Sequence, residues 1–151
     1  LLINYHLAKL LNGNLLNGVS MRELVKVLKA VADKNRLRIF KMLQHKKMCV
    51  CELAAALGIS APSVSRHLSL MKDAGLIEDE RDGIWTNYML CRDKLNRYAP
   101  VIQAHLKEWI NDDEGIKKML KKTETLKREE LCAKVGPIPK GETNNTREKR
   151  A

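Results

Sequence analysis

Aromatic residues and long hydrophobic runs are what this sequence has least of. It contains one Phe and two Trp, so we expect its core to consist of Leu, Ile, Val, Met and Ala side chains. No apolar run is long enough to span a bilayer, and residues 1–20 lack the basic end and small-residue cleavage site of a secretory signal. We therefore predict a cytoplasmic protein with no membrane partner, whose four cysteines are thiols rather than a disulfide framework.

The charge of the chain is strongly positive. The formal net charge is +10 and the pI is about 9.6, a balance that favours a polyanionic partner. Between Asp33 and Asp73, eight basic residues stand against three acidic ones, so half of the net charge lies in this segment. Because the same segment includes a predicted helix-turn-helix, described next, we predict that the partner is double-stranded DNA.

Residues 52–90 follow the order helix, turn, helix and β-hairpin. Apolar residues at helical spacing predict a helix that ends at Gly58, and Ser60 can cap a second helix. Two segments of strand character flank Asp82 and Gly83, a dipeptide that suits a type I′ hairpin turn. This is the order of a winged helix-turn-helix, in which the second helix reads the major groove and the hairpin is the wing.

The second helix has a polar face that we predict to contact DNA. Its hydroxyl groups, one guanidinium and one imidazole can bond to base edges and phosphates in the major groove. An arginine near the tip of the wing can reach the adjacent DNA backbone. The predicted DNA-binding residues are Ser60, Ser63, Ser65, Arg66, His67, Ser69 and Arg81.

The predicted fold is mainly α with a small β-hairpin, in the order α-α-α-α-β-β-α. The winged helix-turn-helix and its flanking helices occupy residues 21–110, and a charged C-terminal helix is predicted over 111–135. Residues 1–20 are an N-terminal extension or arm, and 136–151 are predicted to be a disordered tail. We expect the fifth helix to start near Asp93, with a kink at Pro100, or to start at Pro100 itself. The first helix has an apolar face, and so does the fifth, whose stripe includes Trp109 and Ile110. We therefore predict a homodimer joined through the first and last helices.

Two cysteines, Cys49 and Cys51, lie where we predict the third helix to begin. The helix dipole and the neighbouring Lys46 and Lys47 should favour their thiolate forms, which prefer As(III), Cd(II), Pb(II) or Zn(II) to hard ions. Residues two apart on an ideal helix point about 200° away from each other. Both thiolates could therefore bind one ion only if the first turn is distorted. The alternative is that both cysteines are packed as small apolar residues.

The segment from Met48 to Leu90 closely resembles the ArsR/SmtB family of bacterial metal- and metalloid-responsive repressors. The resemblance rests on CVCEL at 49–53, SVSRHL at 63–68, GLI at 75–77 and the Asp-Gly hairpin with Trp85 and Tyr88. It implies a homodimer that sits on operator DNA and leaves when thiolates, here of Cys49 and Cys51, bind As(III), Sb(III) or a soft divalent ion. One departure is Ala54, where the arsenic-type members have a further cysteine.

A third ligand for such an ion has two candidates. Cys132, from the C-terminal helix of either subunit, is favoured over Cys91 at the end of the wing because a terminal helix can reach further. The resemblance also implies an alternative zinc site on the paired fifth helices, whose ligands here would be Asp93, His105 and Glu108. The histidine that the family pattern places after the acidic residue is absent from this sequence.

These patterns predict a transcriptional repressor that arsenite or a related thiophilic ion releases from its operator, and not an enzyme. The chain shows no oxyanion-hole glycines and no third group to orient a Cys-His pair. One alternative is a regulator of the same family that responds to another effector or to cysteine oxidation, through Cys91 or Cys132. The other is a winged helix that binds only proteins.

Overall fold

The computed structural model describes residues 21–92 and 96–135. The helices in these residues are α1 (Met21–Val31), α2 (Lys34–His45), α3 (Val50–Leu57), α4 (Ala61–Asp73), α5 (Ala99–Glu108), α6 (Glu114–Glu124) and α7 (Arg128–Val135). The strands are β1 (Met48–Cys49), which precedes α3, and β2 (Ile77–Asp82) and β3 (Trp85–Leu90), which follow α4. The predicted fold class, mainly helical with one small hairpin, is confirmed.

Helices α3 and α4 form the helix-turn-helix that the sequence predicted. Helix α3 ends at Gly58, whose φ of 69° lies in the left-handed region that favours glycine. Ser60 caps α4, because its hydroxyl oxygen accepts the backbone N–H of Ser63 at 3.4 Å. Helix α4 is held in place by three buried apolar side chains on its inner face, Val64, Leu68 and Met71.

Strands β2 and β3 form the predicted antiparallel hairpin, Ile77–Leu90, which we call the wing. Its register pairs Ile77 with Leu90 and Asp82 with Trp85. Strand β1, which the sequence did not predict, adds a third strand in the order β1-β3-β2 and pairs Cys49 with Asn87. The prediction that Cys49 starts the third helix is wrong, since this residue ends β1 and is the N-cap of α3.

The helix after the wing starts next to Pro100, at one of the two starts that the sequence left open. Helix α5 starts at Ala99, and it ends at Glu108, so Trp109 and Ile110 lie beyond the apolar stripe on which they were predicted. Ile110 has a φ of 54°, which is unusual for a β-branched residue. The predicted start at Asp93 lies outside the described residues, as do the predicted arm (1–20) and tail (136–151).

Two helices, α6 and α7, lie where the sequence predicted one. The break follows two threonines whose hydroxyls bond to backbone carbonyls. Thr123 Oγ1 donates to the carbonyl of Leu120 at 2.6 Å, and Thr125 Oγ1 donates to that of Lys122 at 2.9 Å. Such local bonds compete with the continuing helix, so the chain leaves α6 at this point. Helix α7 then packs against α3.

The core lies where α2, α3 and α4 meet the base of the wing. Its largest fully buried apolar side chains are Ile39, Phe40, Met42, Met48, Leu53, Leu68, Met71, Leu76 and Ile77. Lys41 is also buried, and its ammonium donates to the carbonyls of Leu106 at 2.8 Å and Lys107 at 3.2 Å. A cation at this position caps the C-terminal end of α5. Among the helices of the described residues, not one has the length and hydrophobicity that a bilayer span requires.

Candidate metal centre and DNA-binding surface

Three thiols converge beside the helix-turn-helix. Cys49 ends β1, Cys51 lies in the first turn of α3, and Cys132 lies on α7. Their sulfur atoms are all within 4.8 Å of one another, and the Sγ atoms of Cys49 and Cys132 are 3.8 Å apart. In the part of the chain that the structure describes, this is the one set of three or more His, Cys, Asp or Glu residues close enough to share an ion. We call it the three-thiol site.

The spacing of these sulfurs suits a thiophilic ion. Thiolates about 2.3 Å from a tetrahedral zinc ion, for example, lie about 3.8 Å from one another. The sulfurs of Cys49 and Cys132 are already 3.8 Å apart, and all three sulfurs lie within 4.8 Å, so a pair would have to close by about 1 Å at most to share one ion. Two of the three residues are buried and Cys132 is half-buried, so the site lies mostly beneath the protein surface.

The conformation of Cys49 brings the first two thiols together. Its backbone is extended, with φ −87° and ψ 170°, because the residue still belongs to β1. The 200° separation expected for two residues on an ideal helix therefore does not apply. The prediction that the first turn must distort before Cys49 and Cys51 can share an ion is wrong.

Cys132 reaches the site because α6 and α7 pack onto α3 in the same chain. The ammonium of Lys122 donates to the carbonyl of Ala55 at 2.7 Å, and that of Lys46 donates to the carbonyl of Thr123 at 2.9 Å. These two bonds tie α6 to the C-terminal half of α3 and to the end of α2. The third thiol thus comes from the chain that supplies the other two.

The electrostatics of the site favour the protonated thiols of Cys49 and Cys132. Burial raises the pKa of the Cys49 thiol, and the negative charge of the neighbouring Glu52 adds to the increase. Burial likewise raises the pKa of Cys132, together with its contacts to the other two thiols. The sequence predicted that Lys46 and Lys47 would favour a thiolate at Cys49, and this is wrong. Lys46 lies 3.9 Å from the Glu52 carboxylate, and Lys47 pairs with Glu80 on the wing.

Glu52 is a residue of the site that the sequence analysis missed. It is 7% exposed, and its carboxylate accepts the backbone N–H of Cys49 at 2.9 Å. This bond fixes the backbone that places the first thiol. The signal was present in the sequence, because a glutamate three residues after an N-cap residue is half of a capping box.

An open groove of about 440 Å³ leads from the surface to Cys51. Its walls come from α3, the following turn and α7, and they include Ala54, Ala55, Ile59 and Leu131. Ala54 is the position at which the resembled arsenic-type proteins have a cysteine. With alanine there, this side of the site is apolar and open, and the third thiol lies on α7 instead.

The other predicted metal ligands are not brought together with the three-thiol site. Cys91 follows the wing and is not one of the three residues whose sulfurs converge. His105 is exposed, and its ring stacks on Trp109 with centroids 5.3 Å apart. Glu108 is also exposed, while Asp93 lies outside the described residues. The alternative zinc site therefore stays a prediction.

Helix α4 turns part of its predicted DNA face to solvent. Ser65, Arg66 and Ser69 are exposed, and so is Arg81 on the wing. Ser60 and Ser63 lie at the start of the helix, where their hydroxyls bond to each other at 2.9 Å. Among the described residues, the guanidinium of Arg66 takes part in no ion pair, so it can bind a DNA base or phosphate.

His67 points away from the exposed part of this face. Its Nδ1 atom lies 3.4 Å from the guanidinium of Arg36 and 3.8 Å from the carboxylate of Asp33. Arg36 also donates to the carbonyls of Ala30 and Lys29, at 2.7 Å each. His67 therefore connects α4 to the turn between α1 and α2, a contact that the sequence pattern did not reveal.

Comparisons with known proteins agree with a winged helix-turn-helix of a bacterial regulator. The family described as bacterial regulatory proteins of the arsR family matches residues 33–79. The arsenical resistance operon repressor of Escherichia coli is 40% identical over 67 residues, which cover 44% of this chain and 57% of that protein. The arsenic resistance transcriptional regulator ArsR2 of Pseudomonas putida is 32% identical over 91 residues, which cover 58% of this chain and 79% of that protein.

A solved structure shows the same fold. The crystal structure of the transcriptional repressor BigR from Xylella fastidiosa superposes with a TM-score of 0.51 at 24% identity, covering 62% of this chain and 89% of that one. The match to the Escherichia coli repressor, by contrast, spans little more than half of that protein's length.

Proposed function

We propose that this chain, which belongs to the ArsR family of bacterial regulatory proteins, is a DNA-binding transcriptional repressor. On this proposal, arsenite releases the protein from its operator. The observation that supports this most directly is the convergence of three thiols beside the helix-turn-helix. Relatives that share residues of this segment are named as arsenical resistance regulators. On this proposal the protein works in the bacterial cytoplasm, where its operator is.

Arsenite suits this site because its reaction with thiols forms no net charge. Arsenite is the neutral molecule As(OH)₃. Each As–O bond is replaced by an As–S bond, and the thiol proton leaves with the hydroxide as water. Three thiols and one arsenite give one neutral As(SR)₃ centre and three waters. The raised pKa values of Cys49 and Cys132 do not oppose this reaction, since the protonated thiols are its reactants.

A divalent cation is less well suited to the same position. Binding Cd(II), Pb(II) or Zn(II) to three thiols would release three protons and leave a net negative charge. That charge would lie next to the Glu52 carboxylate, which is buried beside Cys49. Placing a second negative charge there is costly, because Glu52 and two of the three cysteines are buried. Sb(III), whose hydroxide reacts as that of arsenic does, is the other inducer that fits.

The operator would be read by a dimer. Helix α1 and the segment after α5 expose Val25, Leu28 and Trp109, at 39%, 45% and 54% of their surface. Exposed apolar groups of this kind are typical of an interface. A two-fold dimer would place two α4 helices about 34 Å apart, one DNA turn, on a palindromic site. Ser65, Arg66 and Ser69 would contact bases, and Arg81 the adjacent backbone.

The proposal can be tested by fluorescence anisotropy of the reduced protein on labelled DNA from upstream of its own gene. We expect tight binding that arsenite weakens, and a Cys49→Ser/Cys51→Ser double variant that binds DNA equally but is not released. Cys91→Ser is the matched control, because Cys91 is not part of the three-thiol site. Release by Cd(II) or Zn(II) but not by arsenite would reject the proposed inducer. Release of the double variant would reject the site.

Oxidation is a second candidate signal, and the contact between Cys49 and Cys132 favours it. Their sulfurs are 3.8 Å apart, and a disulfide requires about 2.0 Å. Hydrogen peroxide would oxidise the two thiols to one disulfide and be reduced to two waters. A loss of two thiols on peroxide treatment, together with DNA release that dithiothreitol reverses, would establish this function. Peroxide treatment that leaves DNA binding unchanged would reject it.

A further inference from the structure

We propose that Arg128 transmits ion binding at the three-thiol site to the wing, so that α7 is the element that couples the ion to DNA. This inference rests on the proposed function. Arg128 and Cys132 are four residues apart on α7, which places them on the same face of the helix. One turn of this face contacts the thiols, and the preceding turn contacts the wing.

The guanidinium of Arg128 contacts three residues of the wing. Its Nη1 atom donates to the side-chain oxygen of Asn87 at 3.0 Å and lies 3.5 Å from the carboxylate of Asp82. Its guanidinium carbon is 5.3 Å from the centroid of the Trp85 ring, within the range of a cation-π contact. The planar guanidinium thus holds both strands of the hairpin near its tip.

The same wing residues are linked to the ion site by the sheet. Asn87 pairs with Cys49 between β3 and β1, and its side-chain amide donates to Asp82 at 3.3 Å. Asp82 in turn follows Arg81, the residue proposed to contact the DNA backbone. When the contact between Arg128 and Asp82 breaks, the negative charge of Asp82 is no longer balanced by Arg128. The charge and the position of the wing beside Arg81 therefore change.

The docking of α7 is weak enough for an ion to control it. Arg128, Leu131 and Cys132 are half-buried, and the other side chains described between 128 and 133 are exposed. A short helix with so little buried surface opens at low cost in free energy. An ion bound by Cys132 together with Cys49 and Cys51 would fix α7 in the docked position. Linkage then requires that the docked form bind DNA less tightly than the form in which Arg128 has left the wing.

The experiment compares DNA affinity with and without saturating arsenite in the full-length reduced protein. The ratio of the two dissociation constants is the coupling factor, and for the wild type we expect it in the range of about 5–150 that allosteric proteins typically show. In Arg128→Ala we expect the factor to fall toward one, while arsenite still binds one per chain and still consumes three thiols. Arg128→Lys keeps the charge but loses the planar fork, so its factor should be intermediate.

Two further variants make the test specific. Lys127→Ala is the matched control, because Lys127 pairs with Glu130 on α7 at 3.3 Å and should keep the wild-type factor. Asp82→Ala removes the partner of Arg128 on the wing. If the two residues act through their contact, the Arg128→Ala/Asp82→Ala double variant should lose no more coupling than Arg128→Ala alone. A wild-type factor in Arg128→Ala, or an equal loss in Lys127→Ala, would overturn the role of Arg128. Arsenite that binds the wild type without releasing DNA would instead overturn the proposed function.

Discussion

The affinity of the three-thiol site should depend on pH in a way that separates arsenite from divalent cations. Cys49 and Cys132 have pKa values raised above that of an ordinary thiol, which is about 8.5. Both are therefore protonated at neutral pH, and a divalent cation must displace at least these two protons when it binds. Arsenite displaces none, because each thiol proton leaves in a water molecule.

The size of the difference follows from the number of protons released. The protons of Cys49 and Cys132 alone give an affinity for Cd(II) that rises at least about 100-fold for each pH unit, or at least about 10⁴-fold between about pH 6 and pH 8. The affinity for arsenite should be nearly constant over the same interval. The sign is fixed by the raised pKa values, since raising the pH removes protons that compete with the cation.

Competition titrations against a coloured chelator give the Cd(II) affinity. Arsenite binding can be followed by tryptophan fluorescence, because Trp85 contacts Arg128 on α7, the helix that holds Cys132. The Cys132→Ser variant provides the control. Its Cd(II) affinity should rise with a slope that is smaller by about one proton. An arsenite affinity that rises steeply with pH, or a Cd(II) affinity that does not, would refute the reasoning.

Three other variants test separate parts of the structure. Lys41→Met should lower the free energy of unfolding by about 3 kcal/mol in urea titrations, because it removes the hydrogen bonds of a buried ammonium to the carbonyls of Leu106 and Lys107. An unchanged midpoint would contradict this role. Glu52→Gln keeps the hydrogen bond to the Cys49 backbone but removes the negative charge beside the Cys49 thiol. The pKa of this thiol should therefore fall, which a titration of thiolate absorbance measures. An unchanged pKa would count against the effect of the charge. Arg66→Ala should weaken operator binding by about 1–3 kcal/mol in anisotropy, whereas Lys118→Ala on α6 should not.

The elements that the sequence predicted well are those with strong local signals. Gly58 and Ser60 define the turn between α3 and α4 through their own backbone and side-chain preferences. Asp82 and Gly83 do the same for the wing. Asp33 likewise caps α2, since its carboxylate accepts the backbone N–H groups of Asn35 and Arg36 at 2.9 Å and 3.0 Å, and an aspartate is among the residues that favour this position.

The geometry of the three-thiol site depends on contacts that no local pattern encodes. Strand β1 has only two residues, and it forms because β3 lies beside it. Without it, Cys49 would be expected to continue the helix and point away from Cys51. The break before α7 comes from hydroxyl bonds of Thr123 and Thr125, which a helix-prone composition hides.

Charged residues were the least predictable part of the site. Lys46 and Lys47 are adjacent to the cysteines in sequence, yet their nearest carboxylates belong to Glu52 and Glu80. Their positive charge is therefore largely balanced before it can act on a thiol. Burial, which is a property of the whole fold, dominates the pKa of Cys49 instead.

The central claim is that the thiols of Cys49, Cys51 and Cys132 together hold arsenic. X-ray absorption at the arsenic edge of the reduced, arsenite-loaded protein tests this most directly, because it counts the atoms bound to arsenic. We expect three sulfur neighbours and no oxygen in the wild type, and two sulfurs with one oxygen in Cys132→Ser. Two sulfurs and an oxygen in the wild type, or a spectrum that Cys132→Ser leaves unchanged, would contradict the account.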